Sequence, residues 1–287
     1  MAIKKNINTL LDMKARGERV TQLTCYDVSM ARLVEAAGID TILVGDSLGM
    51  TMQGYSDTLP VTMEEMIVYG RSVVRGAPNT FVIMDMPFMS YQVSVEQAVA
   101  NAGRLIKETG ANAVKLEGGA AVKDQIKAIV DSGIPVCAHI GMTPQSANKF
   151  GGFKVQGKGE ANARQVLEDA FTVQEAGAFM CVLECVPPKL AALITSKVEM
   201  ITIGIGAGAG CDGQVLVLQD MLQMSGAFKP KFVKQFGQIG TAITEACAAY
   251  SAEVKAGTYP AAEHTYAKSD CSDEFLAQLD SEYSARY

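Results

Sequence analysis

One unit recurs along this chain and restricts what it can fold into: an amphipathic helix, a glycine, a short apolar strand and a polar strand end. Residues 31–37 lead through Gly38 to a strand ending at Asp46. Residues 95–109 lead through Gly110 to one ending at Glu117, and residues 122–132 through Gly133 to one ending at His139. Residues 162–176 lead through Gly177 to one ending at Glu184. Glycine just past a helix supplies the left-handed conformation that closes it. The strands, such as Thr41-Ile-Leu-Val44 and Phe81-Val-Ile-Met84, are continuous apolar runs, as expected of parallel strands covered on both faces. Residues 20–24, 81–84, 200–203 and 214–218 bring the expected strands to eight. Eight strands alternating with helices over about 250 residues is the size and rhythm of an α/β (β/α)8 TIM barrel. A doubly wound open sheet is the alternative. It usually carries a glycine-rich turn after the first strand, and this chain has none there.

No linker or low-complexity stretch divides the 287 residues. The expected organisation is a single barrel with an N-terminal helix over residues 1–267, then a C-terminal extension over 268–287. In that extension Phe275, Leu276, Leu279 and Tyr283 share helical spacing, which fits a short docking helix or a frayed tail. Residues 148–160 are rich in Gly and Lys and lack periodicity, so they read as a long rim loop of the kind that often forms a lid.

A net charge of −6, with no Lys/Arg run longer than two, argues against general nucleic-acid binding. The short apolar stretch after the basic start is interrupted by Asn, Thr and Asp, so no signal peptide is expected, and no run is long enough to span a bilayer. Seven cysteines without a CxxC pair read as reduced thiols of a cytoplasmic protein.

The chemistry concentrates at the strand ends, which in α/β barrels form one rim. Asp46, Asp85 and Glu117 are the candidate metal ligands, because Mg²⁺ takes one or two carboxylates and completes its shell with water and substrate oxygens. Each alone could instead cap a helix or pair with a lysine; their shared position favours the metal. Glu184 lies in the apolar run Leu183-Glu-Cys-Val186, and if desolvated would have a raised pKa suited to a general base or acid. A buried pair with a lysine is the alternative. Lys115 and Glu117 are two apart on one strand and face the same side. Lys115 could neutralise a substrate carboxylate, form a Schiff base or pair with Glu117. His139, one of two histidines, is a candidate for a substrate hydrogen bond; His264 receives no role. The glycine-rich run of residues 204–210 reads as a tight barrel turn rather than a dinucleotide fingerprint.

At these residues the sequence resembles the ketopantoate hydroxymethyltransferase family. The shared motifs include Val44-Gly-Asp-Ser-Leu-Gly-Met-Thr51, Asp85-Met-Pro-Phe-Met89 and Val114-Lys-Leu-Glu-Gly-Gly119. Met142-Thr-Pro-Gln-Ser146, Phe150-Gly-Gly-Phe-Lys-Val-Gln-Gly157 and Val182-Leu-Glu-Cys-Val-Pro187 continue the match, which runs from about residue 5 to 265. The resemblance implies a barrel of the phosphoenolpyruvate/pyruvate superfamily. It implies Mg²⁺ held through Asp46 and Asp85, with Glu117 at or just behind the ligands. It also implies 5,10-methylenetetrahydrofolate as co-substrate, a homo-oligomer, commonly a decamer, and a place in pantothenate biosynthesis. The implied reaction transfers a hydroxymethyl group to 3-methyl-2-oxobutanoate through a Mg-stabilised enolate. Glu184 matches the family's proposed base, and Ser47, Lys115 and His139 its substrate-contact positions, beside Asp46 and Asp85. A metal-dependent 2-oxo-acid aldolase or lyase of the same superfamily is the rival enzyme, and a non-catalytic binding barrel the rival of another class. Ala209-Gly-Cys211 departs from the family's usual polar residues before Asp212-Gly213, and the last twenty residues run past the family's usual end.

Overall fold

The computed structural model describes residues 4–226, 230–266 and 270–284. The chain forms two compact units, Met1–Gly237 and Gln238–Tyr287. This division falls earlier than the 267/268 boundary expected from sequence.

In the first unit, helix α1 (Ile7–Ala15) precedes strand β1 (Val20–Thr24) and helix α2 (Val28–Ala36). Then come β2 (Thr41–Val44), α3 (Leu48–Thr51), α4 (Met63–Gly76) and β3 (Phe81–Asp85). Next are α5 (Val95–Thr109), β4 (Ala113–Glu117), α6 (Lys123–Asp131), β5 (Val136–Gly141) and α7 (Ala147–Phe150). Helix α8 (Glu160–Glu175), β6 (Met180–Glu184), α9 (Pro188–Lys197), β7 (Ile201–Ile205), β8 (Gly213–Leu216) and α10 (Leu218–Met221) complete it. The eight strands are parallel and close in sequence order, with β8 beside β1.

The local sequence accounts for the regularity. Helix α5 starts where Ser94 accepts from the Gln97 N–H and ends at Gly110, whose φ of 81° closes the last turn. Helix α4 carries a reciprocal cap between Thr62 and Glu65. Strand alternation then sorts side chains into two cores. Leu43, Phe81, Ile83, Cys137, Met180 and Val182 fill the barrel interior. Their neighbours Ile42, Val82, Met84, Leu116, Ala138 and Leu183 pack outward in the second core with helix residues. Fully buried Ile83 and Leu116 each contribute on the order of 1.5–3 kcal/mol. Leu10 and Met13 of α1 join the interior cluster, and Lys14 donates to the Val198 and Met200 carbonyls, so α1 closes the N-terminal end. The opposite end holds the polar rim.

Several boundaries differ from the sequence expectation. Strand β5 runs to Gly141, so His139 sits inside it rather than ending it, paired with Glu117 on one side and Val182 on the other. Strand β7 runs from Ile201 to Ile205 and takes in Gly204, while β8 ends at Leu216 and Leu218 opens α10. The loop expected over residues 148–160 begins with the helical turn of α7, leaving residues 151–159 irregular.

The second unit contains α11 (Ile239–Ala256) and α12 (Asp273–Ser284). The ring of Tyr259 meets Tyr250 edge-on at 5.7 Å and lies 5.4 Å from His264. Helix α12 carries the Phe275, Leu276, Leu279 and Tyr283 spacing; residues 267–269 and 285–287 of the expected extension lie outside the described residues. Among the described residues no helix is long and apolar enough to cross a membrane.

Candidate active site

The inward face of each strand is read by parity, and at the C-terminal rim that face is charged. Lys115 and Glu117 follow Ala113 inward on β4, Asp85 follows Ile83 on β3, and Glu184 follows Val182 on β6. Asp46 stands two residues past β2, after Gly45. A Cβ on Gly45 would fall 2.9 Å from Ser47 Oγ, so glycine permits the sharp turn that points Asp46 to the rim.

These side chains form one connected group. Lys115 Nζ lies 2.7 Å from Asp85 Oδ1 and 3.7 Å from Glu117 Oε1. His139 Nδ1 lies 3.3 Å from Glu117 Oε1 and 3.3 Å from Lys115 Nζ. His139 Nε2 is 3.2 Å from Glu184 Oε2, within ion-pair reach but off the hydrogen-bond direction. The Asp46 N–H donates to Asp85 Oδ2 at 3.1 Å. All are buried except Glu184, whose side chain is 14% exposed. Its partner is thus an imidazole, not the lysine weighed as the alternative. Gly141, at φ 90°, faces Glu184 across β5 and β6; a Cβ there would fall 2.4 Å from the Glu184 carbonyl oxygen. Ser47 hydrogen-bonds Tyr26 Oη at 2.8 Å beside Asp46.

The electrostatics follow from burial and unequal charge. Burial, reinforced by Asp85 and Glu117, pushes Asp46 well above the ordinary carboxylate range. Burial also raises Asp85, although Lys115 pulls it back. Glu117 is held below the ordinary range: burial opposes this, but His139 and Lys115 outweigh it. Burial would strip the proton from Lys115, yet Asp85, Glu117 and Asp46 hold it charged. Burial and Lys115 likewise oppose a charge on His139, and Glu117 and Glu184 outweigh them, pushing it up to about 9.

That last shift gives a stability prediction. A histidine raised from 6.5 to about 9 contributes stability that is fully present below the unfolded value and is lost as pH rises through the folded one. The urea midpoint of the protein without added divalent cations should therefore fall between about pH 6.5 and 9. His139→Gln should remove that part of the slope, and an unchanged slope in the variant would assign it to another group.

The donor set suits a hard divalent cation. The rim sets four carboxyl groups, Asp46, Asp85, Glu117 and Glu184, against two basic groups, Lys115 and His139, and a cation there would relieve the repulsion that raises Asp46. Asp85 Oδ1 is buried and faces the Lys115 ammonium at 2.7 Å, while Oδ2 takes the Asp46 N–H. Glu117 is differently occupied: Oε1 faces His139, and Oε2 accepts the Gln145 N–H at 3.0 Å. Among the described residues, no group of three or more Asp, Glu, His or Cys side chains is arranged to hold a metal ion. Two carboxylates completed by water and substrate oxygens, the usual Mg²⁺ pattern, do not require one.

Sequence reasoning missed two members of the group. Gln145, buried at 5% exposure, donates through Nε2 to Asp46 Oδ2 at 2.9 Å and to the Met86 carbonyl at 3.0 Å. Tyr91 Oη donates to Gln145 Oε1 at 2.7 Å and accepts the Glu117 N–H at 3.1 Å. The only sequence signal for Gln145 was its place in the Met142–Ser146 motif, just past a strand. Tyr91 gave none.

A closed parallel barrel with acids, a lysine and a histidine converging on its C-terminal rim defines an α/β-barrel enzyme with an acid-rich site. The same fold occurs in phosphonopyruvate hydrolase in complex with oxalate and Mg²⁺, at TM-score 0.59, 11% identity, and 98% and 97% coverage of the two chains. It also occurs in 2,3-dimethylmalate lyase, a PEP mutase/isocitrate lyase superfamily member, at TM-score 0.58, 14% identity and 98% and 97% coverage. In sequence, the family model for ketopantoate hydroxymethyltransferase matches residues 4–262. The 3-methyl-2-oxobutanoate hydroxymethyltransferase of Clostridium novyi (strain NT) is 60% identical over 264 residues, covering 92% of this chain and 96% of that protein. That of Enterococcus faecalis (strain ATCC 700802 / V583) is 56% identical, with 96% and 100% coverage. The chain belongs to the ketopantoate hydroxymethyltransferase family.

Proposed function

We propose that this protein transfers a hydroxymethyl group from 5,10-methylenetetrahydrofolate to 3-methyl-2-oxobutanoate, giving 2-dehydropantoate for pantothenate biosynthesis. It does so as a Mg²⁺-dependent, cytoplasmic homo-oligomer that binds neither nucleic acid nor membrane. The observation that carries this reading is the juxtaposition of two kinds of group: the Asp46–Asp85 carboxylates beside charged Lys115, and Glu184 facing them through His139. The family's conversion needs both, one to hold a 2-oxo acid and one to take its C3 proton.

In this reading Asp46 and Asp85 hold the cation, with Glu117 behind them fixing His139 and the Gln145 backbone. When bound, the cation supplies positive charge to the keto and carboxylate oxygens of the substrate. Lys115 adds a second positive charge at the same place. Because its amine is held protonated by three acids, it acts electrostatically rather than as a Schiff-base nucleophile. His139 and Ser47 orient the substrate. Glu184 removes the C3 proton, and the carbanion carbon then bonds to the methylene carbon of the folate. The methylene carbon's two C–N bonds break as the new C–C bond and a hydroxyl from water replace them, the folate nitrogens take up the C3 proton and the water proton, and tetrahydrofolate leaves.

The test is a product assay with 3-methyl-2-oxobutanoate, Mg²⁺ and methylenetetrahydrofolate, each omitted in turn. 2-Dehydropantoate should form only when all three are present. Folate-independent cleavage or condensation of a 2-oxo acid would instead make the protein an aldolase or lyase of the same fold.

A further inference from the structure

We infer that Gln145 and Tyr91 are positioning residues that set the Asp46 carboxylate for cation binding. This rests on the reading of Asp46 and Asp85 as the cation ligands. The amide orientation of Gln145 is fixed by its neighbours. The Met86 carbonyl can only accept, so the NH₂ group must face it, and the same NH₂ group reaches Asp46 Oδ2. The amide oxygen then faces Tyr91, whose hydroxyl hydrogen is taken up at 2.7 Å, a shorter contact than the 3.2 Å to the Glu117 carbonyl. Gln92 Nε2 is a further donor to the amide oxygen at 3.3 Å.

The amide is held at its other end too. The Gln145 N–H donates to Glu117 Oε2, and Tyr91 Oη receives the Glu117 N–H. One buried residue therefore links the loop after β5 to Asp46 after β2 and to Glu117 at the end of β4. Every polar atom of the Gln145 side chain is used. Rotating it would strand the Met86 carbonyl and place the amide oxygen against a carboxylate. Asp46 consequently has one oxygen fixed by a neutral donor, and its carboxylate plane is set before a cation arrives. Groups that orient ligands in this way commonly affect metal affinity ten- to a hundredfold.

The experiment measures Mn²⁺ affinity by electron paramagnetic resonance, with thermal unfolding and turnover recorded on the same proteins. Gln145→Leu and Gln145→Glu should each weaken Mn²⁺ binding by about tenfold or more. The glutamate keeps the volume and the contact to Tyr91 but sets an oxygen against Asp46, so it carries the test if the leucine variant does not fold. Tyr91→Phe, which frees the amide without moving it, should weaken binding by a smaller factor. In all three, saturating Mn²⁺ should restore most of the turnover, which loss of packing would not allow. Wild-type Mn²⁺ affinity in folded Gln145→Glu and Tyr91→Phe would overturn the inference. Asp46→Asn separates the two levels. If it too binds Mn²⁺ normally, the cation-site reading itself fails; if it loses binding while the Gln145 variants do not, only the positioning role falls.

Discussion

Glu184→Gln should lower exchange of the C3 proton of 3-methyl-2-oxobutanoate with deuterated water by about 10²–10⁴-fold, the usual contribution of a positioned general base. The exchange is followed by NMR with enzyme and Mg²⁺ but without the folate, so it isolates proton removal from carbon–carbon bond formation. Glutamine keeps the shape of the side chain and its contact with the strand end. The Glu184 backbone is held independently, its carbonyl accepting the Met142 N–H at 2.9 Å across β5 and β6. The substitution should therefore leave the fold and substrate affinity nearly unchanged and reduce turnover. An unchanged exchange rate in the variant would hand the base role to another residue.

Asp46→Ala and Asp85→Ala should each reduce turnover by at least about a hundredfold, since each removes a hard ligand from a cation that contributes several kcal/mol to charge stabilisation. EDTA should reproduce the loss in the unaltered protein, and added Mg²⁺ should reverse it there but not in either variant. The two variants should differ in stability. Asp85 pairs with Lys115 and accepts the Asp46 N–H, so its removal leaves a buried ammonium with a weakened counter-charge. Asp46 is raised by burial and by Asp85 and Glu117, so its loss relieves that penalty and that repulsion. Asp46→Ala should thus melt at or above the temperature of the unaltered protein while losing activity. Full activity in the metal-free protein would remove the cation from the mechanism.

Much of the barrel was legible in the sequence because its signals are local. A helix closed by glycine, followed by a run apolar at every position, is a chain-local pattern, and helix α5 with Gly110 followed it to the residue. The two-residue period of a strand also told that Lys115 and Glu117 share a face, and they do, both turned into the barrel. Strand ends were less secure. Ladder pairing with β6 carried β5 on to Gly141 and β7 on to Ile205, past the points where their apolar runs stopped.

By itself, then, the sequence determined which strands carry acids at their ends, and on a parallel barrel that is enough to bring Asp46, Asp85, Glu117 and Glu184 to one rim. It could not determine who pairs with whom, because that depends on register between strands far apart in the chain. Glu117 lies opposite His139 through the β4–β5 register, and His139 reaches Glu184 only because β6 lies alongside β5. Gln145 meets Asp46 across 99 residues of chain, and Tyr91 meets Gln145 across 54. Neither contact leaves a periodic or compositional trace, since a buried amide or phenol is placed by the closure of the barrel around it. The chain chose the charged groups, and the closed sheet chose their partners, because only a fixed shear between strands brings the polar atoms of distant segments within hydrogen-bond distance.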